Sequence, residues 1–525
     1  MKLARAKDMS NTDQSLPPAG GETTAQTTEP LAYRAVRGGF WSVVGSYFTI
    51  GFGFLANIAL IRLLTPAIYG EFALAMFFVT LFDLVGKSGL NYAFAHHRTV
   101  NGESLGTLLV LSLLIGAASL GLALLSAPIL LAAGYAPMIP VIIAATIGVQ
   151  FIGIWLWPFA VVLESELRFK PLAVATSIAM ALSYAPAFGL ALSGQGQYSL
   201  LAQSLTNSLL AMAAMCVYLF RAQRHLLQMR WRYRPALARQ LLRFGLTTGL
   251  GNFVSTLLVQ VDNFILGTLA GTTVLGYYDR AYRVAQWPST LLIPLVGRAA
   301  VFTYNQLRDD QTRLQRSVTM VLWTSANLAI PIALALFFSA PELVPLVFGA
   351  QWTPAVPLLR ILLVVSVLRP IWENVWAILV GLGLPRRVVE LSLFQLTVLV
   401  IAGVLLTWLF SAAGTATAVI LMLRCGLALA YLRIKPKLAI DLRSAFGGPL
   451  AALVLTGAGY LILVRVIGND LPLWAAAAWK MGWGLAGFGL SSVLAQPRQF
   501  VERVVYIWSL WRRRSPASAN AAVSP

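Results

Sequence analysis

Histidine and cysteine are nearly absent: three and two residues in a chain of 525. His96, His97 and His225 share no zinc-site spacing with Cys216 and Cys425. Both cysteines lie in apolar runs far apart, which fits two small hydrophobes better than a disulfide. Charge is scarce as well. Charged residues make up 11% of the chain, acids number 19, and hydrophobic residues reach 58%. A soluble domain carries about 25% charged residues, so a water-soluble globular protein is excluded. No secretory signal is expected, because Met1 to Val36 is polar and the first apolar run is too long for a signal h-region.

What the chain does have is long apolar runs. A spanning helix needs about 20 mostly apolar residues. Fourteen runs qualify, near 39–61, 70–94, 104–127, 138–163, 172–193, 198–220, 244–269, 281–303, 318–340, 356–381, 388–410, 413–432, 446–467 and 472–495. The expected fold class is an all-α polytopic membrane protein. Trp155 and Trp157, and Trp474, Trp479 and Trp483, suit interfacial belts.

The 39 basic residues give a net charge of +20. In a soluble chain that suggests nucleic acid, but in a membrane protein bases collect in cytoplasmic loops. With the N-terminus inside and the spans alternating, 30 fall inside or toward the inner ends of spans, and four outside or at the outer ends: Arg62, Arg280, Arg283 and Arg465. Five lie within spans: Lys87, Arg360, Arg369, Arg424 and Lys480. Both termini are therefore expected in the cytoplasm, and no nucleic acid is expected. The seven bases from Arg221 to Arg243 read as a connection along an anionic leaflet.

A shift of 206 residues aligns the first run with the seventh: Gly39 on Gly245, Asn57 on Asn263, Leu60 on Leu266, Gly70 on Gly276. A six-span unit repeated in one orientation predicts two lobes about an axis along the membrane normal. The expected organisation is a disordered N-tail (1–36), an N-lobe (37–220), a basic linker (221–243) and a C-lobe (244–437). Two added helices (438–495) and a basic C-tail (496–525) follow. In that tail Phe500 to Trp508, running into Arg512-Arg513-Arg514, reads as an interfacial helix or as a basic stop after a span. Gly86-Lys87-Ser88 imitates a phosphate loop, but Leu81 replaces its first glycine, so no ATP hydrolysis is expected.

Several motifs in order resemble the bacterial polysaccharide flippases. They are Gly38-Gly39-Phe40-Trp41, Arg62-Leu63-Leu64-Thr65-Pro66 with Tyr69-Gly70, and Leu167-Arg168-Phe169-Lys170. The second half has Val261-Asp262-Asn263, Leu275-Gly276-Tyr277-Tyr278, Val347-Phe348-Gly349-Ala350-Gln351-Trp352 and Gly383-Leu384-Pro385-Arg386-Arg387. The resemblance covers roughly 35–440. It implies a flippase of the superfamily that holds the multidrug antiporters, sited in the bacterial inner membrane. Its substrate would be an undecaprenyl-pyrophosphate-linked oligosaccharide. Proton or sodium would be the coupling ion, and a polysaccharide polymerase is a candidate partner. In the peptidoglycan-precursor branch, which also has fourteen spans, the last two helices form a groove for the lipid tail.

A charge at mid-membrane costs about 2.5–3.5 kcal/mol on insertion scales, so it is normally paired or faces a cavity. Three pairs stand four apart on helices: Asp83 with Lys87, Asp279 with Arg283, and Arg369 with Glu373. Either they lock helices together or their bases can switch to a substrate phosphate. The candidates for a cationic cavity are Arg283, Arg369, Lys87, Arg360 and Arg280. Asp262, Asp83, Glu373 and Asp279 are the candidates for ion coupling or pairing. Asp262 also reads as an interhelical hydrogen-bonding group, and Lys480 as a snorkelling side chain.

Two other readings use the same residues. A drug/cation antiporter would favour a negative cavity, and a peptidoglycan-precursor flippase would share the scaffold. A membrane polymerase would need a long outer loop or a catalytic domain with paired acids. Neither is present, so no enzyme and no cofactor are expected.

Overall fold

The computed structural model describes residues 51–83, 89–90, 94, 101–165, 169–436, 438–467, 471–498 and 500–505. Helices account for nearly all of them, and no strand occurs among the described residues. The chain is a multi-pass membrane protein: nine described helices are long and apolar enough to cross a bilayer on their own.

In chain order the helices are α1 (Gly51–Leu63), α2 (Pro66–Phe82), α3 (Gly102–Ala132), α4 (Met138–Gly153) and α5 (Trp157–Ser165). Next come α6 (Phe169–Leu192), α7 (Ser199–Ala222), α8 (Arg224–Gln228), α9 (Pro235–Ala270), α10 (Thr272–Ala285) and α11 (Trp287–Gln306). The rest are α12 (Gln311–Phe348), α13 (Ala355–Gly381), α14 (Pro385–Ile434), α15 (Leu442–Ile467), α16 (Leu473–Gly482) and α17 (Phe488–Ala495). A π turn, Trp483–Gly487, joins the last two.

α14 is a hairpin rather than a rod. In one straight helix residues 406 and 414 would stand about 12 Å apart. Here a Cβ on Gly414 would lie 1.8 Å from the carbonyl oxygen of Leu406, and the hydroxyls of Thr407 and Thr415 are 2.7 Å apart. Ser411, at φ 53°, turns the chain back, and Gln395 on one arm packs on Gly426 of the other. These arms correspond to the two apolar runs read near 388–410 and 413–432.

The helices form two packed sets. α2, α3, α4, α6 and α7 contact one another, as do α9 and α11 to α14. The sets meet where α2 runs along α10. There the repeat becomes a physical contact. A Cβ on Gly70 would stand 1.7 Å from Thr272 O, and one on Gly276 would stand 1.9 Å from Pro66 O. Residues 66 and 70 map onto 272 and 276 by the same shift of 206, so the two contacts are mates. Leu60 and its partner Leu266 are both fully buried. Only glycine allows helices to approach this closely.

The basic linker is docked, not loose. Arg232 N donates to Gly102 O (3.1 Å), Arg234 N to Thr107 Oγ1 (3.0 Å), and Arg234 pairs with Glu103 at 3.0 Å. An Asn101/Ser104 capping box opens α3 at this point, with Ser104 N 2.8 Å from Asn101 Oδ1. Gly484 fastens the C-terminal helices to α12 by sitting against the backbone of Ala335, and Trp483 Nε1 ties the π turn to α15 by donating to Thr456 O at 3.0 Å.

Candidate functional site between the two helix sets

α10 carries the charges that the sequence placed at an outer edge. The helix begins at Thr272, well before the predicted span at 281–303, so Asp279 and Arg280 lie inside the protein, buried between the sets. Gly271, at φ 86°, makes the turn that sends α10 back along α2.

The Asp279 carboxylate holds two arginines. Arg280 donates to Asp279 Oδ2 from Nε at 2.9 Å and also from Nη2. Its Nη1 reaches Asn57 Oδ1 on α1 at 3.2 Å, and its guanidinium lies 4.3 Å from the centre of the Tyr69 ring. Arg280 is thus committed to α1 and α2 across the seam. Arg283 donates from Nε to Asp279 at 3.1 Å, yet 60% of its side chain stays exposed. Two guanidinium groups on one carboxylate leave a net positive cluster.

A second group runs behind it. Tyr278 O–H donates to Asp262 Oδ2 at 2.8 Å, and Asn263 N donates to Asp262 Oδ1 at 3.0 Å. Asp262 is buried and has the partner that the sequence did not reveal. Tyr278 stacks on Tyr282 at 5.8 Å, and α10 packs against α13, the helix that carries Arg369. Arg369 pairs with Glu373 at 3.3 Å, both side chains partly exposed. Pro370 between them has no N–H for the Ser366 carbonyl. Ser289 Oγ from α11 reaches that carbonyl at 3.5 Å instead, and Asn374 Nδ2 bonds both Pro370 O (3.0 Å) and Ser325 Oγ (3.1 Å).

The structure therefore gathers Asp279, Arg280 and Arg283 on α10 beside the Asp262–Tyr278 bond to α9, while Arg369 and Glu373 form their own pair on α13, a helix packed against α10. Arg360 stands apart: Nε donates to Phe337 O at 3.2 Å and the guanidinium covers the Phe337 ring at 5.2 Å. Asp83 ends α2 and lines a different cavity of about 390 Å³, with Gln150, Trp157, Met212 and Met215. Lys87 lies outside the described residues. Lys480 neither snorkels nor stands alone: its Nζ is 2.5 Å from Glu342 Oε1, both mostly buried. Sequence reading missed Glu342 because α12 runs on to Phe348, beyond the predicted end at 340.

The seam is closed at one end by motif residues. Arg62 bonds the carbonyls of Leu346 and Val347, and Trp352 Nε1 donates to Ile61 O at 3.1 Å. The buried Trp352 ring packs edge-on against Tyr69 and Tyr277. Beside the seam lies a cavity of about 400 Å³ with a wholly apolar lining, including Phe54, Ile58, Trp287, Leu336, Met481 and Leu485. It reaches from α1 and α11 to the π turn.

A family model described as "Polysaccharide biosynthesis protein" matches residues 59–357, more than half of the chain. The chain belongs to this polysaccharide biosynthesis family. The resemblance carried by the sequence motifs is thereby borne out. "Lipopolysaccharide biosynthesis protein WzxC" of Escherichia coli (strain K12) is 24% identical over 369 residues, covering 67% of this chain and 70% of that one. "Succinoglycan biosynthesis transport protein ExoT" of Rhizobium meliloti (strain 1021) is 26% identical over 326 residues, covering 61% and 64%. Among solved structures, "Lipid II flippase MurJ, inward closed conformation" superposes with a TM-score of 0.67 at 13% identity, over 86% of this chain and 98% of that one. An inward-facing multidrug resistance MATE family transporter of the MOP superfamily gives 0.58 at 15% identity, over 75% and 98%. These structures share the fold. The family match contains Tyr69, Asp262, Asp279, Arg280 and Arg283 and ends before Arg360, Arg369 and Glu373.

Proposed function

We propose that this protein flips a lipid-linked oligosaccharide across the bacterial cytoplasmic membrane for surface polysaccharide synthesis, with an undecaprenyl-pyrophosphate carrier and both termini cytoplasmic. The observation that carries the reading is Arg283, whose side chain stays 60% exposed while its Nε holds the buried seam residue Asp279. A pyrophosphate crossing hydrocarbon needs a positive, hydrated contact, and an arginine fork binds phosphate oxygens in pairs. Arg283 would hold the phosphate first. Arg369, released from Glu373, would hold it as the sets rock. Arg280 would stay on Asp279 and Asn57 and help to close the seam. Asp262, held by Tyr278, is the candidate for proton or sodium coupling. The wholly apolar cavity beside Phe54 and Leu485 would take the isoprenoid tail, as the resemblance to the peptidoglycan-precursor branch implies. The names of WzxC and ExoT support the process, and the fold shared with the MurJ flippase supports the scaffold.

The drug/cation antiporter reading has one observation in its favour. The cavity that Asp83 lines, with Trp157, Phe151 and Met residues, would suit a hydrophobic cation. A deletion strain separates the two. The flippase reading expects surface polysaccharide to be lost and lipid-linked repeat units to collect on the inner leaflet. Intact surface glycans with altered resistance to cationic drugs would support the antiporter instead.

A further inference from the structure

The chain does not leave the membrane freely after α17. Gln496 breaks the helix at φ −148° and ψ 69° and nests against Gly448 of α15. A Cβ on Gly448 would lie 2.4 Å from Gln496 Oε1, so this turn is built into the fold. The helical segment that follows, at 500–505, docks by one face. Phe500 packs edge-on against Trp323 of α12 at 5.8 Å. Arg503, one turn later, donates to Ser444 O at 2.9 Å and Ser444 Oγ at 2.6 Å, and its guanidinium stands 5.2 Å from the Trp323 ring.

Three sectors follow from the helical period. Phe500 and Arg503 face the protein. Val501, Val504 and Val505, at i, i+3 and i+4, share a second face and are 53%, 44% and 55% exposed. Glu502 is exposed on a third, with Arg498 one turn before it. An apolar face beside a polar one, held at the mouth of a span, is the design of a helix lying in a membrane interface. From 496 to the end the chain has one acid, Glu502, against Arg498, Arg503, Arg512, Arg513 and Arg514. That excess complements negative headgroups.

We infer that the segment following α17 is an anionic-phospholipid contact, which seats Val501, Val504 and Val505 in the interface while Arg503 and Phe500 clamp it to α12 and α15. The inference rests on neither the transported substrate nor the flipping reaction.

Its test uses the full chain with Cys216 and Cys425 replaced by alanine. A spin label is placed in turn at 501, 502, 504 and 505, and the protein is reconstituted in phosphatidylethanolamine–phosphatidylglycerol vesicles or in phosphatidylcholine vesicles. The ratio of relaxation by oxygen to relaxation by a water-soluble nickel chelate is expected to be several-fold higher at 501, 504 and 505 than at 502. It should fall at those three sites in phosphatidylcholine. Replacing Arg512, Arg513 and Arg514 together by glutamine should remove the difference between the two lipids. Equal nickel access at all four sites would overturn the inference, because the valines would face water. Low access to both reagents would also overturn it, because protein would cover them. Equal ratios in the two lipids would overturn the anionic preference.

Discussion

Gly276→Ala tests the seam most directly. Its added Cβ would begin 1.9 Å from Pro66 O, a backbone atom that cannot swing away. Real Cβ contacts do not fall below 3.0 Å, so α2 and α10 must part by the better part of the difference. Forcing an extra methyl into a packed contact costs about 1–3 kcal/mol. That strain exists only while the seam is shut, so it raises the open population by about 5- to 150-fold. Double electron–electron resonance between labels at Gln195 and Thr353, both exposed loop residues on opposite sets, reads the effect. A longer-distance population is expected in Gly276→Ala, and likewise in its repeat mate Gly70→Ala. Gly457→Ala is the control, since its Cβ meets nothing within 4 Å. An unchanged distance distribution in well-folded Gly276→Ala would refute the seam as the closing contact.

Arg283→Ala should abolish export while the protein still inserts, and Arg283→Lys should restore part of it; full export by Arg283→Ala would remove the phosphate assignment. For the Arg369–Glu373 pair, Arg369→Ala should stop export and Arg369→Ala/Glu373→Ala should not rescue it. Rescue by the double variant would mean that the pair merely ties the helix together. Lys480→Met strands Glu342, and breaking a buried pair costs about 3–5 kcal/mol, so its thermal midpoint in detergent should drop. Lys480→Met/Glu342→Leu should recover most of that loss. Asp262→Asn should make export in vesicles insensitive to the imposed ion gradient, whereas Tyr278→Phe should weaken that coupling without ending it.

The sequence by itself determined the class of molecule. Apolar runs of this length must span a bilayer, because their backbone groups can be satisfied only within helices there. The 206-residue shift marks Gly70 and Gly276 as equivalent positions, and two copies related by a twofold axis meet through equivalent residues. The apolar runs singled out Asp262, Asp279, Arg283 and Arg369 as charges too costly to leave in lipid. What it could not supply were the partners. Spacing along one helix pairs Asp279 with Arg283 but says nothing of Asn57, 223 residues away from Arg280. Nor could it pair Lys480 with Glu342 across 138 residues, or Asp262 with Tyr278 on the next helix. Only the tertiary structure decided which arginine is consumed in the seam and which stays exposed. Helix period fixes the face on which a charge stands, whereas the packing of other helices against that face decides what the charge meets.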